Sequence, residues 1–305
     1  MSTTHELPLE RRNLHGHFSR ELAPVLTVDP GDSVAFSALN SGWRLEPDRE
    51  LFDDRDPELD AGHALCGPVE VRGARAGGTL AVHVDELRVG PWGVTFGGGF
   101  STPLNERLGV ADGETRILQW TLEADAGTGR DQVGREVDLR PFLGVIGMPP
   151  PEPGTHPTAP PRRWGGNIDC SELVEGTTLY LPIPVDGALL SFGDGHARQG
   201  DGEVSQLAIE APMERAQLTL SLADLELEYP IARIDGAWLT FGFDEDLDEA
   251  AALAIEGMLD LMRRDHGLER RDALALASVV VDLRVTQLVN GARGVHAILR
   301  DDALR

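Results

Sequence analysis

The 305 residues, 41% of them apolar, suffice for one large β-rich unit or two smaller domains, and no stretch approaches the ~18 consecutive apolar residues of a membrane span. A formal charge of −24 gives a surface that repels phosphate backbones and anionic lipid, which argues against nucleic-acid and membrane partners. All 27 basic residues are arginine, so Schiff-base chemistry, pyridoxal phosphate and the Walker A phosphate loop, each of which needs a lysine, are excluded.

Residues 1–12 are polar and charged, without the apolar run of a signal peptide, and the expected location is the cytoplasm. Residues 24–36 form two short alternating runs around Pro30-Gly31-Asp32 and read as a hairpin. A second hairpin is expected over 69–87, turning at Gly77-Gly78 with Val82, Val84 and Leu87 near its apolar face. Cys66 and Cys170 lie more than a hundred residues apart and read as reduced thiols. Residues 144–166 are too rich in proline and glycine for a helix or a central strand. This long loop is either a linker or a segment crossing a site.

Four further strands are expected at 178–185, 188–192, 203–209 and 216–222. Over 246–266, Leu247, Ala251, Ala254, Met258, Leu261 and Met262 recur at three- and four-residue steps, with acids at the start and Gly267 as stop, which predicts an amphipathic helix. A shorter helix over 269–277 and a strand over 279–285 follow. The fold class is therefore mainly β, sandwich- or barrel-like, with α/β additions and a C-terminal helical segment. The organisation expected is a β-rich region over 1–143, the loop over 144–166 and a second β-rich region over 167–305, intertwined as one unit.

The densest polar cluster runs from Gly193 to Glu203. If Asp194 and His196 continue a strand, both point to one face, where an oxygen and a nitrogen could bind one cation. Asp201 and Glu203 have the same spacing; on spacing alone these acids could equally cap turns. Upstream, Asn167 and Asp169 alternate behind Gly165-Gly166, and His63 precedes a strand. His5, His15, His156, His266 and His296 read as structural histidines.

These residues carry a family resemblance. The succession Phe142 to Gly147, Arg163 to Cys170, Thr178 to Val185, Gly193-Asp194-Gly195-His196 and Gln199 to Glu203 resembles the acetamidase/formamidase family. The likeness extends to the Pro-Gly-Asp turn, Gly62-His63, Gly67-Pro68, Pro91-Trp92-Gly93 and residues 283–290, and so covers nearly the whole chain. Arg198, where a small residue is expected, and the Gly97-Gly98-Gly99-Phe100 loop depart from the pattern, which puts the size of the substrate in doubt. The resemblance implies hydrolysis of short amides to ammonia and a carboxylate, a bound divalent metal and a homo-oligomer. Asp169, Asp194 and His196 are the expected ligands, a set suited to zinc, or to calcium if the histidine is not a ligand. Glu203 is the expected proton carrier, His63 the oxyanion partner, and Asn167 and Gln199 the groups that orient the amide. The alternatives are a Cys170 thiol mechanism, with Glu203 or His63 as base, and a metal-stabilised protein that binds a small ligand without turnover. Without lysine, the Ser-Ser-Lys and Glu-Lys-Cys routes to amide cleavage are closed.

Overall fold

The structure, a computed structural model, describes residues 2–50, 52 and 55–304. Alternation sets the architecture. In Thr79–Val89, Leu80, Val82 and Val84 are buried on one face, and in Met213–Ala223 Ala216, Leu218 and Leu220 follow the same two-residue period. These two long strands pair antiparallel at the centre of a nine-stranded sheet. Its spatial order is Thr4–Leu7, Asp32–Ala38, Met213–Ala223, Thr79–Val89, Thr178–Pro182, Ile231–Ile234, Ala237–Asp244, Arg293–Arg300 and Val281–Gln287.

A second sheet runs Gly165–Asn167, Phe142–Gly147, Leu190–His196, Leu65–Val71 and Leu14–His15, with Leu26–Val28 also paired to Leu65–Val71. The apolar faces of the two sheets share one core, in which Phe36 of the first meets Phe192 of the second with ring centroids 4.3 Å apart. Strands from both halves of the chain interleave in each sheet. A four-stranded sheet, Trp92–Gly97, Arg116–Glu123, Thr128–Asp131 and Glu136–Asp138, stands beside them; the sequence patterns singled out neither this sheet nor the helix Pro103–Leu108.

The chain is mainly β, 41% strand and 13% helix. The long helix is Leu247–His266, begun by Asp246, whose carboxylate accepts from the amides of Asp248 and Glu249, and ended by Gly267 at φ 65°. It buries Ala250, Ala254 and Met258 against Ala237–Asp244 and Arg293–Arg300. Helix Arg270–Val280 and strand Val281–Gln287 follow, three residues longer at the helix C-terminus than the pattern predicted.

Neither expected hairpin forms. Leu26–Val28 pairs parallel with Leu65–Val71, whereas Asp32–Ala38 joins Thr4–Leu7 and Met213–Ala223, so the Pro-Gly-Asp turn carries the chain from one sheet to the other. Leu65–Val71 and Thr79–Val89 are likewise in different sheets. Residues 203–209 form turns, because Glu203 and Gln206 take positive φ and the backbone folds on itself through Gln206 N–H to Glu203 O. The expected long loop is strand at both ends, since Phe142–Gly147 runs into it and Gly165–Asn167 pairs back on that strand.

Candidate metal centre and its access cavity

The carboxylate–imidazole cluster forms where the second sheet ends. Leu190–His196 pairs with Phe142–Gly147, placing His196 opposite Phe142, whose ring meets the imidazole edge-on with centroids 4.8 Å apart. Asp194 and His196 both lie on this strand, as the two-residue spacing predicted. Asp169 follows Gly165–Asn167 and is brought in by the pairing of that strand with Phe142–Gly147. Asp169 at φ 51°, Asp194 at 60° and Glu203 at 44° all adopt the left-handed backbone, a strained choice for non-glycine residues that concentrates at functional sites.

Two sets of ligand atoms result, Asp169 with His196 and Glu203, and Asp194 with His196 and Glu210; within each set the atoms lie within 4.8 Å of one another. His196 Nε2 stands 3.1 Å from Glu210 Oε1 and 3.4 Å from Asp194 Oδ2, and Nδ1 is 3.8 Å from Asp169 Oδ1. All five residues are buried. Asp169, Asp194 and His196 therefore come together, but on two sides of one ring. Glu203 stands among the ligand atoms as well.

Sequence reasoning missed Glu210. It is the one acid among Ala208, Ile209, Ala211 and Pro212, just past the expected 203–209 strand, and an acid in so apolar a run is rarely buried unless paired. Two backbone hydrogen bonds with Val94 fix it, Glu210 N–H to Val94 O and the reverse, each 2.9 Å.

Seven buried side-chain atoms here, Asn167 Oδ1, Asp169 Oδ1, Asp194 Oδ1, His196 Nδ1, Gln199 Oε1, Glu203 Oε2 and Glu210 Oε2, have no hydrogen-bond partner. Leaving such groups unsatisfied costs ~1–3 kcal/mol each, more when charged, and a cation bound by these oxygens and the imidazole removes that cost. Gly144 makes the space. A Cβ there would lie 2.5 Å from Asp194 Oδ2, 2.6 Å from Asp169 Oδ1 and 2.9 Å from His196 Cε1. The donor set of hard oxygens and one or two imidazole nitrogens fits a divalent cation.

The electrostatics agree. Burial, reinforced by Asp194 and Glu210, pushes the Asp169 carboxyl up to about 8. Burial and the neighbouring Asp169 push Glu203 well above its usual range. Burial opposes ionisation of Asp194 too, but His196 and His63 outweigh it and hold that carboxyl below its ordinary value. Burial disfavours the His196 imidazolium, yet Glu210 and Asp194 raise it well above the usual histidine range. Four buried acids thus compete for positive charge.

His63 stands at the edge of the cluster, its Nε2 3.9 Å from Asp194 Oδ2. Thr158, from the proline-rich loop, fixes it: the His63 amide donates to Thr158 Oγ1 at 3.0 Å, and ring Nδ1 lies 2.7 Å from the same oxygen. His63 and residues 155–159 also line a cavity of about 600 Å³, together with His17, Trp43, Arg55 and Glu58. The loop is therefore a wall of the cavity that leads to His63. Gln199 braces the cluster, donating from Nε2 to the Asp169 carbonyl at 2.7 Å, and Asn290, unassigned from sequence, donates its amide to Asp169 Oδ2. Cys170 is fully buried in the main core, and burial drives its thiol upward, away from the thiolate. Both cysteines are free.

A mainly β protein with a buried carboxylate–imidazole cluster behind a cavity is the class that fold and site define. Its sequence matches the model of the acetamidase/formamidase family over residues 1–155 and 152–223. The chain belongs to the acetamidase/formamidase family, whose enzymes hydrolyse carbon–nitrogen bonds of amides. It is 27% identical over 264 residues to a formamidase of Methylophilus methylotrophus, covering 67% of this chain and 64% of that one. The matches span 61–68% of the length of the curated relatives. Among solved structures, an acetamidase from Bacillus halodurans aligns at TM-score 0.84 and 27% identity, covering 97% of both chains. An acetamidase from Yersinia enterocolitica aligns at TM-score 0.85 and 24% identity over 100% of this chain and 94% of that one, which bears on the fold alone. No helix among the described residues is long and apolar enough to cross a membrane.

Proposed function

We propose that this protein hydrolyses short aliphatic amides, of the formamide and acetamide kind, to ammonia and a carboxylate with the help of a divalent cation. The observation that carries the metal dependence is the set of five buried, unpartnered atoms of the cluster itself, on Asp169, Asp194, His196, Glu203 and Glu210. Glu210 and Asp194 approach His196 more closely than Asp169 does, and we assign the cation to Asp194, His196 and Glu210, with zinc the first choice and calcium the second. When bound, such a cation lowers the pKa of water toward ~7 and polarises an amide carbonyl.

The chain's own residues supply the rest. His63, reached from the cavity and held by Thr158, donates from its ring toward the carbonyl oxygen as negative charge grows there. Glu203, which burial and Asp169 make more basic than an ordinary carboxylate, accepts a proton from water when ionised and passes it to the departing nitrogen. Asn167 and Gln199 offer their unpartnered carbonyl oxygens to the amide N–H groups. The net change takes one water and one amide to one carboxylate and one ammonium. Cys170 is a poor second nucleophile because its thiol is buried and uncharged.

Two reduced thiols fit the cytoplasm as location. A homo-oligomer is supported by the outermost strand Val281–Gln287, in which Leu283 is exposed, and by the exposed Leu274 and Val279 of the preceding helix. The test is ammonia release from formamide, acetamide and propionamide before and after chelation. Turnover abolished by the chelator and restored by zinc supports the proposal. Turnover indifferent to chelation but lost to a thiol reagent overturns it in favour of Cys170.

A further inference from the structure

We infer that the cluster holds two cations, one on each nitrogen of His196: the first with Asp194 and Glu210 at Nε2, the second with Asp169 and Glu203 at Nδ1. This rests on the metal-dependent reading and adds a second position to it. The two ligand sets share only the imidazole. Its two nitrogens direct their lone pairs to different sides of the ring, so a cation on Nε2 does not also occupy the position on Nδ1. Glu210 and Asp194 flank Nε2 at 3.1 and 3.4 Å, whereas Asp169 faces Nδ1 at 3.8 Å.

The second set stands on observations of its own. Asp169 Oδ1, Glu203 Oε2 and His196 Nδ1 are all without a hydrogen-bond partner, in side chains that are 1%, 5% and 1% exposed. Asn290 engages the other Asp169 oxygen, so Oδ1 is the one left for a cation. The segment that carries Asn290 also grips the turn that carries Glu203: Gly202 N–H donates to Thr286 O at 3.0 Å and Leu288 N–H to Gly202 O at 3.1 Å. Gln287 Oε1 in turn accepts from the amides of Val289 and Asn290. One strap thus sets Asp169 and Glu203 against each other.

Charge accommodates the same number. Four buried carboxylates surround one imidazole, and a single divalent cation offsets two of them when all are ionised. A second offsets the other two and leaves only the charge of the imidazolate. On loading, the ring releases both of its N–H protons to solvent and binds as imidazolate, and Asp169 and Glu203 release theirs to bind as carboxylates. Glu203 coordinates through Oε2 and keeps its other oxygen for proton transfer.

The experiment is to strip the purified protein with a chelator, titrate it with zinc in competition with a chromophoric chelator, and count the metal retained after gel filtration. Two equivalents per chain are expected, with Asp169→Asn and Glu203→Gln each reduced to one; both replacements keep the shape of the side chain. Where either variant fails to fold, the wild-type stoichiometry decides. A single equivalent in the wild type overturns the inference and leaves one-cation hydrolysis standing. No zinc bound, with amide turnover intact, overturns both.

Discussion

Gly144 is the residue whose smallest change should do the most. Its backbone is not in the left-handed region, so alanine suits the main chain, but the added methyl would press on Asp194, Asp169 and His196 at once. Gly144→Ala is expected to keep its secondary structure by circular dichroism while cation affinity and turnover fall at least ~10-fold, as expected when ligands are displaced from their positions. Asn290 acts at one remove. Asn290→Ala takes the donor from Asp169 Oδ2, and the zinc dissociation constant should rise ~10–100-fold. Unchanged affinity would show that Asn290 merely packs beside the site.

Among the elements, the helix Leu247–His266 separates stability from chemistry. Asp246 caps it with hydrogen bonds of 2.8 and 3.3 Å to the amides of Asp248 and Glu249. Its buried face forms a cluster with Val295, Ala297 and Leu299, apart from the cation ligands. Asp246→Ala should cost ~1 kcal/mol in urea unfolding and leave kcat/KM for acetamide unchanged. A matching loss of activity would tie this helix to the site. The helix was legible from sequence because its periodicity, its cap and its glycine stop are all local. The two expected hairpins were not, since Pro30-Gly31-Asp32 and Gly77-Gly78 record that the chain turns and leave open which strand it joins. Partners more than a hundred residues away decide that, as Met213–Ala223 does for Asp32–Ala38. The sheet from Trp92 to Asp138 was missed for a related reason: it is largely half-buried or exposed, with weak apolar alternation.

For the molecule as a whole, acid should act through buried histidines. Burial pushes His15 and His296 down to about 4, where the unfolded chain titrates near 6.5. The unfolded state therefore binds more protons between those values, and stability that is complete above pH 6.5 is lost as pH falls toward 4. His15, held between Ser191 Oγ at 3.0 Å and the His17 carbonyl at 2.6 Å, accounts for roughly 3 kcal/mol of that loss. A melting temperature followed from pH 7 to 4.5 should fall less steeply in His15→Asn than in the wild type; parallel curves would remove His15 from the account.

The candidate site was partly legible at this scale. Asp194 and His196 stood out by strand spacing, and Asp169 and Glu203 came from the family resemblance carried by their glycine-rich motifs. Glu210 escaped because its one local mark, an acid in an apolar run, names no partner, and the division of the cluster into two sets emerges only when four carboxylates share one imidazole. The measurement that bears most directly on the cluster's role is ammonia release from acetamide by protein whose zinc content is counted in the same sample. Turnover should rise and fall with bound zinc and vanish in Glu210→Gln; full turnover by protein free of metal would contradict it.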